Sequence, residues 1–123
     1  MVAQNGRTGP SNVPVFSYGS LAREEFQRSF FGRLVPAAPA RLRGFRVQRV
    51  PIAAEDLLPT DREPFRWIAL ATAESDATVA GFVVRLSMEQ LMRVDEFEAP
   101  DYRRRRVRID DGSWVWLYLP STG

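Results

Sequence analysis

The apolar run Val13 to Ser17 stops at Tyr18-Gly19-Ser20-Leu21, and behind it Leu21, Phe26, Phe30 and Phe31 recur among Arg23, Glu24, Glu25, Gln27 and Arg28. This pattern predicts a strand, a tight loop and a helix. Gly32 can cap that helix, and the prolines of Pro36-Ala37-Ala38-Pro39 cannot continue it, so a new element is expected near Ala40. From Ala40 to Val50, Leu42, Phe45, Val47 and Val50 alternate imperfectly with Arg41, Arg43, Arg46 and Arg49, and the alternation breaks at Gly44. One half-buried strand with room for a bulge is predicted.

Pro51 to Pro64 is proline-rich, carries Glu55, Asp56, Asp61 and Glu63, and has no sustained period, which predicts a surface loop. Trp67 to Ala73 and Val79 to Leu86 are compact apolar runs expected to form two neighbouring strands. Ser87 followed by Gln90 is a capping-box pattern that opens a second helix, and Pro100 disfavours helical geometry at Ala99, so this helix should end at about Glu98. Tyr102 to Ile109, the turn Asp110-Asp111-Gly112, and Ser113 to Leu119 read as an antiparallel hairpin. The order of elements predicts an α+β domain over residues 13–119, with a small mixed, curved, barrel-like sheet and two main helices. A polar tail, Met1 to Asn12, is expected before it and a short tail, 120–123, after it.

Composition narrows the chemistry. With 45% hydrophobic and 26% charged residues, 123 positions suffice for one soluble domain, and no apolar run approaches the ~18 residues a membrane-spanning helix needs. The absence of Cys and His excludes thiol nucleophiles, Ser-His relays and Cys/His zinc sites, so no metal is expected and any acid or base must be a carboxylate or a tyrosine. All 17 basic residues are Arg, which excludes Schiff-base chemistry. A net charge of +2 does not make nucleic acid the default partner. Met1 to Asn12 lacks the basic-then-apolar order of a signal peptide, so the cytoplasm is the expected location.

On the second helix Glu98 follows Leu91 by seven residues and Val94 by four, which projects it from the apolar face. Desolvation and the helix C-terminus would then both raise its pKa toward that of a useful base. The alternative is a carboxylate that turns to solvent at a frayed helix end. Asp95 borders the same stripe. Tyr18-Gly19-Ser20-Leu21, between strand and helix, can point backbone N–H groups at an anion, or be only a turn. Ser20 lacks the His or Lys that would activate it as a nucleophile. Strand geometry places Arg104, Arg106 and Arg108 on the Tyr102 face and Arg103 and Arg105 with Val107 and Ile109 on the other. These arginines form either a solvated edge or an anion-binding surface, which Arg43, Arg46 and Arg49 could extend for a nucleic acid.

The run Val15 to Leu21, the later Val79-Ala80-Gly81-Phe82-Val83-Val84, and Asp95-Glu96-Phe97-Glu98 followed closely by Tyr102-Arg103-Arg104 together resemble the gamma-glutamylcyclotransferase-like family, over roughly Val13 to Leu119. Ala40 to Phe45 is similar to that family's second conserved strand, and Tyr118 falls where its last strand carries an aromatic. The resemblance implies a small barrel-like α+β fold. It also implies a cofactor-independent reaction that cyclises a γ-glutamyl amine, amino acid or peptide to 5-oxoproline and releases the amine. It makes Glu98 the general acid/base, makes Tyr18, Gly19, Ser20 and Leu21 the cradle of the glutamyl group, and matches Tyr102 to the tyrosine that follows the acid. The sequence departs from the family in having Ala99 where a glycine is common and in a short link from Glu98 to Tyr102. Two other classes stand beside this reading: a non-catalytic module that binds a small acidic ligand, and an Arg-rich nucleic-acid-binding domain.

Overall fold

The computed structural model describes residues 12–59, 61, 63–74 and 76–121. The expected N-terminal tail lies outside these residues up to position 11, as do Thr122 and Gly123. Strand β1, Val13–Ser17, runs through the middle of a five-stranded sheet. It pairs antiparallel with β5, Thr78–Leu86, and parallel with β7, Trp114–Pro120. The strand order is β2-β5-β1-β7-β6, where β2 is Ala37–Arg43 and β6 is Tyr102–Arg108. The two edges meet: Leu42 bridges Ile109, and the Asp110 N–H donates to the Arg41 carbonyl at 2.9 Å. This contact closes the sheet into the expected barrel-like curve.

The span Ala40 to Val50, expected as one strand, is two. At Gly44, φ is 83°, a left-handed conformation that costs glycine little and takes the chain out of the extended path. The Gly44 N–H donates to the Ala77 carbonyl and its own carbonyl accepts the Thr72 N–H, so the corner is pinned. Beyond it β3, Phe45–Pro51, leaves the main sheet and pairs only with β4, Phe65–Ala71, in a separate ribbon. The strands expected over 67–73 and 79–86 are therefore not hydrogen-bonded neighbours, and the first of them begins two residues early, at Phe65. Strand β2 also starts earlier than expected, because Pro39, which lacks an N–H, is tolerated on an edge strand.

Alternation along the central strands divides the apolar residues between two cores. Val15 and Val84 face one, with Leu21, Phe26, Leu91 and Val94 from the segments that cover the sheet. Phe16 and Val83 face the other, with Leu42, Ile109, Val115 and Leu117. Helix α1, Glu24–Phe31, ends at Gly32 in the left-handed region, as expected. Helix α2, Met88–Glu98, opens with the expected capping box: the Gln90 N–H donates to Ser87 Oγ at 3.1 Å and the Ser87 N–H to Gln90 Oε1 at 2.9 Å.

Gly81 of β5 permits the close approach of β1. A Cβ there would lie 2.5 Å from the Ser17 carbonyl oxygen and 2.7 Å from Phe16 Cζ, and a backbone atom cannot rotate away. Overpacking of this kind costs about 1–3 kcal/mol, so Gly81→Ala is expected to lower Tm by roughly 3–15 °C. A Tm equal to that of the wild type in thermal melts followed by circular dichroism would contradict the close packing.

Candidate active site

Strand β1 delivers the chain into the Tyr18-Gly19-Ser20-Leu21 loop, and local hydrogen bonds set its path. Ser17, buried, accepts the Gly19 N–H on Oγ at 3.2 Å. Gln27 of α1 is also buried; its Nε2 donates to the Leu21 carbonyl at 2.7 Å and its Oε1 accepts the Val35 N–H at 3.1 Å. An amide satisfied at both ends fixes the loop against the helix. The loop does not open an α-helix, as the sequence pattern suggests. Ser20–Ala22 is a single 3-10 turn, and α1 begins only at Glu24, because Arg23 is extended. Any anion held here would therefore meet the N–H groups of the turn rather than the end of a helix dipole.

Helix α2 presents Glu98 as its last residue, because Ala99 before Pro100 is extended, with φ −71° and ψ 151°. Beside it Phe97 packs against Phe26 and Phe30, with ring centres 5.7 and 5.2 Å away, which ties the end of α2 to α1. Tyr102 opens β6, and Tyr118 comes from β7. The ribbon adds Arg66 of β4 and, just before it, Asp61. Together these segments enclose an open pocket of about 340 Å³, within the size range of small-ligand sites. All six residues singled out from the sequence, Tyr18, Gly19, Ser20, Leu21, Glu98 and Tyr102, line it.

The two carboxylates of the helix end differ sharply. Burial pushes the Glu98 carboxyl up to about 7; the Arg66 charge opposes the rise and Asp101 adds to it. No hydrogen bond from a described residue relieves that burial. Asp95 is instead fully engaged: Tyr118 Oη donates to its Oδ1 at 2.6 Å, and Arg104 Nε donates to Oδ1 at 2.9 Å and Oδ2 at 3.1 Å. Asp95 does not line the pocket. Burial also raises the hydroxyls of Tyr18, Tyr102 and Tyr118 above the ordinary phenol range, so all three stay protonated at neutral pH.

Arg66 and Asp61 escape a sequence reading. Asp61 belongs to a segment that reads as a surface loop, and Arg66 precedes the apolar run expected to form the strand. Burial works against the Arg66 charge, and Asp61 Oδ2 at 3.3 Å, with Tyr102 beside it, outweighs that effect. Gln27 lies on a helix as one polar residue among several, and nothing in its spacing marks it as buried. On the hairpin the predicted division of arginines holds. Arg104 stacks over Trp116 at 4.2 Å and Arg108 over Trp114 at 4.5 Å, with Arg106 near both rings. Among the described residues no cluster of three or more His, Cys, Asp or Glu is arranged to hold a metal, and no helix is long and apolar enough to cross a membrane.

No curated protein matches the chain in sequence. Its fold is similar to that of the Arabidopsis thaliana protein At3g28950.1, with a TM-score of 0.65 and 24% identity over 92% of this chain and 64% of that one. The uncharacterized human protein loc79017 matches with a TM-score of 0.67 and 20% identity, over 92% of this chain and 69% of that one. A structure described as gamma-glutamyl cyclotransferase matches with a TM-score of 0.62 and 19% identity, over 89% and 67%. The chain thus spans about two thirds of the length of these structures, and the likeness establishes the shared fold. The family described as gamma-glutamyl cyclotransferase, AIG2-like, matches residues 15–122, nearly the whole of the described structure, and the chain belongs to that family.

Proposed function

We propose that the protein cyclises a γ-glutamyl compound to 5-oxoproline and releases its amine, with Glu98 as general base and then general acid. The observation that carries this reading is that Glu98, raised to about 7, lines the same pocket as the backbone donors of a glycine-containing turn. The substrate brings its own nucleophile. Its α-amine, with a pKa of about 8 in short peptides, is mostly protonated at neutral pH, so a base of nearly matched pKa is what the reaction needs. The Ser20 and Leu21 N–H groups have no protein acceptor among the described residues and suit the α-carboxylate. Tyr18 and Tyr102, protonated, flank the glutamyl chain and hold it bent toward ring closure.

Glu98 takes one proton from the α-ammonium, and the freed lone pair attacks the γ-carbonyl to close the five-membered ring. As the γ C–N bond breaks, Glu98 returns that proton to the leaving nitrogen. It then takes the second proton from the ring nitrogen, and this proton departs with the amine as ammonium. No net proton is consumed.

Glu98→Gln is expected to reduce 5-oxoproline formation by about 10²- to 10⁴-fold, the usual worth of a positioned base. Wild-type kcat/KM should fall as pH drops through about 7, rather than through the ordinary glutamate range, and the variant's residual activity should lack that limb. Stability runs the other way. A carboxyl raised in the folded state stabilises the fold below its ordinary value near 4.5, and that contribution is lost as pH rises through about 7. Glu98→Gln should therefore melt at or above the wild-type temperature at pH 8 and lose that advantage near pH 4. Arg66→Met removes the charge that holds Glu98 down, so the acid limb should move to higher pH; an unmoved limb would show that Arg66 does not act on Glu98. Gly19 has open space where a side chain would go, so Gly19→Val should fold and raise KM by obstructing the loop. A wild-type KM in that variant would remove the loop from the binding site.

A further inference from the structure

Tyr118 is a pocket-wall residue whose hydroxyl proton is already committed. Its Oη lies 2.6 Å from Asp95 Oδ1, and because a carboxylate oxygen accepts, the tyrosine is the donor. Asp95 cannot turn away, since Arg104 Nε holds both its oxygens. Arg104 is itself steadied by the Trp116 ring and sits directly opposite Tyr118 in the β6–β7 register. The bond is thus locked from α2, β6 and β7 together. A phenol has one proton and two lone pairs, so a hydroxyl whose proton is taken offers the pocket only an acceptor. Tyr118 is also near enough to Glu98 to respond to its charge. An acceptor beside a base fits a ligand group rich in N–H.

We propose that Asp95, locked by Arg104, is a positioning residue that makes Tyr118 an obligate hydrogen-bond acceptor, and that Tyr118 holds the α-amine of the substrate beside Glu98. The inference rests on the γ-glutamyl reading above and assigns the amine subsite within it. Glu98 removes one proton of the ammonium, Tyr118 keeps hold of another, and the freed lone pair is left to face the γ-carbonyl. Asp95 acts through Tyr118 and touches no substrate atom.

The test compares two compounds that differ only in the α-amine: the γ-glutamyl compound the wild type cyclises fastest in a panel of glutamate γ-amides, and its glutaryl counterpart. The second cannot cyclise and serves as a competitive inhibitor. Tyr118→Phe should lower kcat/KM about 10- to 100-fold, as expected for losing a hydrogen bond to a charged group, while the inhibition constant of the glutaryl compound changes less than about two-fold. Asp95→Ala removes the acceptor and frees the tyrosine hydroxyl to present its proton to the pocket, so it should produce the same selective loss. In the double variant the two losses should not multiply, because both act through one hydroxyl. Equal weakening of both compounds by Tyr118→Phe would overturn the amine subsite. Multiplying losses would overturn the positioning role of Asp95, and if Asp95→Ala does not fold, the Tyr118→Phe comparison decides alone. If the wild type cyclises nothing in the panel, the γ-glutamyl reading itself fails and this inference goes with it. If it does cyclise a compound, selective and unselective losses tell the two ideas apart.

Discussion

Withdrawing a carboxylate from water costs free energy, and Glu98 can occupy such a place only because the last turn of α2 is clamped. Leu91 and Val94 bury the inner face of the helix, Phe97 is gripped by two rings of α1, and Asp95 is bonded to two strands of the hairpin. Fully buried side chains such as Leu91 and Val94 contribute about 1.5–3 kcal/mol each, enough to offset one desolvated carboxyl. A helix end held on three sides does not fray. That denies Glu98 the escape to solvent that its terminal position would otherwise allow.

The same few arginines shape both the packing and the electrostatics of the pocket region. Arg104 uses its Nε to hold Asp95 and its planar face to lie on Trp116, two roles a lysine could not combine. Arg66 links Asp61 to the start of β6 and lends the pocket a positive charge opposite Glu98. The hairpin arginines on the Tyr102 face are therefore less a uniform basic strip than a graded series. The one nearest the pocket is tied into the helix end, and those farther out rest on Trp114 and Trp116. Two carboxylates one helical turn apart thus meet opposite surroundings. Asp95 is held by Arg104 and Tyr118, while Glu98 accepts no hydrogen bond from a described residue and is pushed up to about 7.

Much of the fold is legible in the chain because its signals are local. Val13–Ser17, the capping box at Ser87, the stop before Pro100 and the Asp-Gly hairpin each depend on residues within a few positions of one another, and backbone sterics decide them. The pocket members Tyr18 to Leu21, Glu98 and Tyr102 are legible for a related reason: each lies at an element boundary that those signals mark. What the sequence leaves open depends on long-range partners. Whether Gly44 bulges a strand or turns a corner into a second sheet depends on Ala77 and Thr72, about 30 residues away, which pin its backbone. The same corner decides that β4 pairs with β3 instead of β5, and so carries Arg66 and Asp61 to the pocket. Helix periodicity puts Asp95 and Glu98 near one stripe and cannot rank them. Only the packing of α2 against the hairpin places Arg104 and Tyr118 on Asp95 and gives Glu98 no donor among the described residues, because hydrogen-bond satisfaction is a property of the assembled neighbours and not of spacing along the chain.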